Sequence, residues 1–150
     1  MTPAAKILST VEGFAKLSNE ELEVIATIAN PVKYESGVHV VNEGDQSDEL
    51  FIIFKGQVSI DFQSYSGQKV NICRIGEQQL FGELSYLDNQ PRSASATTTE
   101  EAKILVLKRK DLDVCFCEFP TIGYKVMSEL AQLVTRKLRF TNFALKDKVS

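Results

Sequence analysis

With 150 residues, 43% of them hydrophobic and 25% charged, the chain has the makeup of one globular domain large enough to bury a core. A net charge of −3 leaves no cation excess for a general nucleic-acid or polybasic membrane surface, and no apolar run reaches the roughly 18 residues of a membrane span. A single histidine, His39, cannot furnish a multi-histidine metal site or a catalytic triad, and three cysteines, with Cys115-x-Cys117 wrongly spaced for a zinc knuckle, read as free thiols of a cytoplasmic protein.

Ile7, Leu8, Val11 and Phe14 recur at helical spacing and predict a short first helix. Ser18-Asn19-Glu20-Glu21 has the form of a capping box, with Ser18 as N-cap and Glu21 reaching back. Leu22, Ile25 and Ala29 continue a second helix, and Pro31 is expected to stop it. From Val32 the period becomes two. Leu50 to Phe54 is apolar throughout and predicts a strand covered on both faces; Val58, Ile60 and Phe62, then Val70 and Ile72, alternate with polar neighbours; Ile104 to Lys108 is the expected last strand. Glycines at 37, 44, 56, 67 and 76 punctuate these runs, a pattern of short strands that points to an antiparallel barrel or jelly roll. Helical spacing returns after Lys108, with a short helix over residues 111–118 and a long one from Thr121 carrying the stripe Ile122, Val126, Leu130, Leu133 and Leu138. Phe140 and Phe143 near its end are exposed unless they cover a ligand or a partner.

The stretch FGELSYLDNQPRSAS, residues 81–95, combines unusual equipment. Gly82 allows close backbone approach, and Glu83 is an acceptor-only carboxylate. Leu84 to Leu87 can form one helical turn that Asp88-Asn89-Gln90-Pro91 breaks. Arg92 then brings a guanidinium, which matches phosphate geometry, followed by small residues with accessible N–H groups. Such a stretch suits a ligand with a phosphate at one end and a hydroxyl nearby.

This stretch resembles the phosphate-binding cassette of the cyclic-nucleotide-binding domain family, both the catabolite-activator-like regulators and the regulatory subunits of protein kinase A. The glycine-marked strands of residues 34–45 and 49–58 resemble the family's as well, so the likeness runs from about residue 14 to 142. It implies an α+β fold: an antiparallel, jelly-roll-like β-roll flanked by N-terminal helices and a C-terminal helical pair. The expected layout is a single domain over residues 1–150, with N-terminal helices in 1–31, the β-roll in 32–108, the cassette in 81–95 and C-terminal helices in 110–145. By the same resemblance Glu83 takes the ribose 2′-hydroxyl and Arg92 the cyclic phosphate. Gly82, Ser93 and Ala94 supply backbone donors, with Leu84 beside them and Phe81 and Val70 in the pocket wall. Two polar residues of the last helix read the base, which nominates Thr141 and Asn142. The expected ligand is cAMP, with cGMP the open alternative, and no metal.

The resulting expectation is a small regulatory sensor rather than an enzyme. Its alternative is a member of the fold that has lost the ligand and serves as a protein-interaction scaffold. The long helix resembles one that pairs with its twin in homodimers. The chain ends at Ser150, without room for a helix-turn-helix after Asn142. Neither DNA nor a membrane is therefore expected as partner, and output would pass through a homodimer or a separate effector protein.

Overall fold

The structure is a computed structural model, and it describes residues 1–149. Helices α1 (Pro3–Ser9) and α2 (Asn19–Ala26) precede eight strands: β1 (Ala29–Tyr34), β2 (His39–Val41), β3 (Leu50–Lys55), β4 (Val58–Gln63), β5 (Lys69–Ile75), β6 (Gln79–Phe81), β7 (Ser95–Thr98) and β8 (Ala102–Leu107). Helix α3 (Glu83–Asp88) interrupts them between β6 and β7, and α4 (Arg109–Glu118) and α5 (Pro120–Val149) close the chain. The strands form two antiparallel sheets, ordered β1-β8-β3-β6 and β2-β7-β4-β5. The fold is the antiparallel roll with flanking helices that the sequence implied.

The apolar run of β3 explains the layering. Successive side chains of a strand point to opposite faces. Leu50 and Ile52 pack with α1, α2, α4 and α5, while Phe51 and Ile53 pack with Val58 and Ala96 of the facing sheet. A strand with a core on each side has no polar face to show. The helices therefore seal one sheet, and the second sheet seals its other face.

Some elements differ from their sequence reading. α1 ends at Ser9, where the Ser9 and Thr10 hydroxyls bond back to the Lys6 and Ile7 carbonyls. Val11 and Phe14 are fully buried but sit in the turns that follow. Pro31 does not stop α2. That helix ends at Ala26, and both Ala29 and Pro31 lie in β1, an edge strand where a missing N–H costs no ladder bond on the open side. The pairing of β4 with β5 carries a bulge on β5 at Ile72, opposite Ile60 and Asp61, and Asp61 is buried beside Ser59 and Asn71. Leu138 leaves the buried stripe of α5 and is 60% exposed, because it falls about 100° round the helix from Lys137, which continues the face of Leu130 and Leu133. Phe140 and Phe143 are also exposed.

The capping box of α2 is present in both directions, and Lys125 of α5 adds an ion pair at 2.7 Å to Glu21. Its bonds to Lys125 and Ser18 hold the Glu21 carboxyl below its ordinary value. A lowered folded-state value gives stability that is complete above the usual carboxylate range and lost as pH falls through the folded value. Glu21→Gln is expected to cost about 1 kcal/mol at neutral pH. Thermal unfolding of both proteins from pH 7 downward should show the gap closing on acidification.

Candidate functional site

A cavity of about 790 Å³ opens where the second sheet, the residues around α3 and the inner face of α5 meet. Its walls are apolar, from Ile60, Ile72, Ile75 and Phe81, and its polar groups are few. Arg92 and Glu83 both line it while being 4% and 7% exposed, the most buried charges at the cavity.

Local sequence places them there. Gly82 is the N-cap of α3 at φ 86°, a left-handed conformation suited to glycine. A Cβ there would lie 2.9 Å from Arg92 Nη1 and 2.9 Å from the Glu49 carbonyl oxygen, so only glycine lets the guanidinium lie against the chain. The turn over Glu83–Asp88 is closed by Asn89 at φ 57°, and Pro91 prevents its extension. The chain then returns through Arg92, Ser93 and Ala94, all three on the cavity wall.

Arg92 and Glu83 do not pair with one another. Arg92 Nε donates to Ser47 Oγ at 2.9 Å, Nη1 to the Gly82 carbonyl at 3.0 Å and Nη2 to the Glu49 carbonyl at 2.9 Å. A longer 3.4 Å contact joins Nη2 to the Glu49 carboxylate, and the guanidinium lies over the Phe51 ring. Burial pulls the guanidinium below its ordinary value, while the Glu49, Asp48 and Glu83 carboxylates hold it up. Glu83 instead accepts from Lys137 Nζ of α5 at 2.7 Å. Behind α3, Arg109 of α4 donates to the Tyr86 carbonyl and covers its ring. Both C-terminal helices are thus tied to the stretch that holds the charges.

The cavity gathers Phe81, Gly82, Glu83, Leu84, Arg92, Ser93, Ala94 and Thr141 of the residues nominated from sequence. Val70 and Asn142 are not in its wall. Val70 pairs with Phe62 beyond the bulge that shifts the register of β5. Asn142 follows Thr141 on the helix and so points about 100° away from it. Sequence reasoning missed Lys137 and Arg136, which line the cavity one turn before Phe140 and Thr141 and could have been found by that spacing. Arg136 also pairs with Glu12 of the N-terminal segment. Ser47 and Glu49 carry no local signal, since they reach Arg92 across 45 and 43 positions. A smaller groove of about 360 Å³ lies between α2 and the α4–α5 junction; its charged lining is Glu20, Glu21 and Glu118, with no cation to hold an anion. Among the described residues no group of histidine, cysteine and carboxylate side chains is placed to hold a metal, and no helix is long and apolar enough to cross a membrane.

Comparison with known proteins agrees with this geometry. The chain is 30% identical over 144 residues to the CRP-like cAMP-activated global transcriptional regulator of Mycobacterium tuberculosis, covering 96% of this chain and 62% of that protein. It is 30% identical over 132 residues to the cyclic AMP receptor protein of Thermus thermophilus, covering 88% and 59%. The chain therefore spans about six-tenths of the length of these relatives. The crystal structure of a cyclic nucleotide-binding domain from Methylobacillus flagellatus superposes with a TM-score of 0.86 at 26% identity, over 98% of this chain and 83% of that one. The family model described as the cyclic nucleotide-binding domain matches residues 31–116, from β1 through Glu83 and Arg92 into α4, and by that match the chain belongs to the cyclic nucleotide-binding domain family.

Proposed function

We propose that the cavity binds a cyclic mononucleotide, cAMP before cGMP, and that the whole chain acts as one regulatory sensor domain. The observation that carries this is the delivery of Arg92 and Glu83, almost wholly buried and bonded to different partners, to the wall of one apolar cavity. The guanidinium would take the cyclic phosphate, and the carboxylate would accept from the ribose 2′-hydroxyl. Ser93 and Ala94 line the cavity beside Arg92 and would add their N–H groups to the phosphate, while Thr141, on the α5 wall, would cover the base. The names of the two curated relatives, both cAMP proteins, favour adenine.

Output would pass through the helices. A ligand on Glu83 competes with or reinforces the Lys137 contact, and it can move α5 only by its preference for one arrangement over the other. From Thr135 to Lys148 every residue of α5 is exposed. Tyr124, Met127, Ala131, Val134, Leu138, Thr141 and Leu145 recur at alternating spacings of three and four, a seam fit for a second α5. We assign this seam to a homodimer, with a separate effector protein as the alternative receiver. The free thiols of Cys73, Cys115 and Cys117 suit a cytoplasmic setting.

Calorimetric titration with cAMP and with cGMP tests the reading, with sedimentation of the same sample. Saturable binding, tighter for cAMP, by a dimer is expected. Binding of neither nucleotide would move the function to a scaffold, and a monomer with or without ligand would remove the dimer.

A further inference from the structure

We propose that Ser47, a residue outside the cavity, positions the Arg92 guanidinium for the anion, an inference that rests on the cyclic-nucleotide reading of the site. Ser47 is not part of the cavity wall. It acts through one bond, accepting from Arg92 Nε at 2.9 Å.

The argument begins with the fork of a guanidinium, whose donors are fixed in one plane. Ser47 Oγ and the Glu49 carbonyl together hold its Nε–Nη2 edge, and the Gly82 carbonyl holds Nη1. The face lies against Phe51. Two of the three close acceptors are backbone carbonyls, of Glu49 and of Gly82. The Nε acceptor is the one that depends on residue type. A hydroxyl accepts without adding negative charge, so it aims the guanidinium without competing for it as a carboxylate would. The donors left for an anion are the second N–H of Nη1 and the Nη2 N–H that now makes only the 3.4 Å contact with Glu49.

Ser47 is itself fixed relative to Arg92. The segment between β2 and β3 is bonded to the cassette along its length. Gly44 N donates to the Arg92 carbonyl, Arg92 N donates to the Asp45 carbonyl, Glu43 N donates to Ser95 Oγ, and Gln46 Nε2 donates to the Asn89 carbonyl. The hydroxyl and the Arg92 backbone therefore belong to one rigid clamp, and loss of the hydroxyl leaves a buried charged donor without its acceptor.

The test compares wild type, Ser47→Ala and Ser47→Thr in two readouts, cAMP affinity by calorimetry and the Arg92 Nε–H signal in side-chain ¹H–¹⁵N spectra of the ligand-free protein. Ser47→Ala is expected to weaken binding by about three- to tenfold and to lose the slowly exchanging Nε–H signal, while Ser47→Thr keeps both. Unchanged affinity in Ser47→Ala, an affinity loss with the Nε–H signal intact, or a threonine variant as weak as alanine would each overturn the proposal. If wild type binds no cyclic nucleotide, the cavity reading fails, and the Nε–H comparison still decides whether Ser47 fixes the guanidinium.

Discussion

On the cyclic-nucleotide reading, Arg92→Ala is expected to lower the affinity for cyclic nucleotide by about a hundredfold or more, at 1.4 kcal/mol per decade. The side chain offers its charge and two further N–H donors at a site 4% exposed, and charge-assisted bonds in such places contribute about 1.5–3 kcal/mol each. The same variant also loosens the fold. The Gly82 and Glu49 carbonyls lose their donors, which costs about 2 kcal/mol. The domain remains folded, so calorimetry beside thermal unfolding separates the two effects. Arg92→Lys keeps the charge but not the planar fork, and falls between wild type and alanine. Wild-type affinity in Arg92→Ala would remove the cassette assignment altogether.

Gly82→Ala is expected to damage both stability and binding. The residue is held at φ 86°, and the added Cβ would stand 2.9 Å from a backbone oxygen of Glu49 and 2.9 Å from Arg92 Nη1. Backbone strain and overpacking each cost about 1–3 kcal/mol. The unfolding midpoint should fall by roughly 10 °C at 2–4 °C per kcal/mol. Because the flexible neighbour is the guanidinium, it moves first, and affinity is expected to drop by about tenfold. Gly37→Ala is the control. Its φ is 81°, yet an added Cβ there meets nothing within 4 Å. It should cost about 1 kcal/mol from backbone strain and leave binding unchanged. Equal effects in the two variants would mean that the close packing at Gly82 has no consequence.

The features legible in the sequence were those with a local cause. The capping box at Ser18 needs only residues three apart, and the two-sided core of β3 needs only an uninterrupted apolar run. The cavity residues from Phe81 to Ala94 were legible because Glu83, Arg92 and the turn between them are continuous in the chain. Failures had nonlocal causes. Pro31 reads as a helix stop until β8 is known to pair with only one side of β1. Val70 reads as a wall residue until the bulge resets the register of β5. Leu138 reads as part of the stripe of α5 until the face of Leu130 and Leu133 is seen to continue through Lys137 instead. Ser47 and Glu49 could not be nominated, because nothing near them announces a distant arginine.

The long sequence separations within the site also bear on how it forms. Arg92 is bonded across 45 positions to Ser47, and Glu83 across 54 to Lys137. Loops of such length close late, after local turns and hairpins have formed. The acceptor that orients Arg92 and the cation that meets Glu83 therefore arrive only with the complete β-roll and α5, so on the proposed reading a partly folded chain would lack the finished site. A bound nucleotide would then stabilise only the finished topology, by about 2.7 kcal/mol at a hundredfold excess over Kd. On the proposed reading, a cell rich in the nucleotide would hold more of this protein folded, so that the signal would set the lifetime of its own receptor.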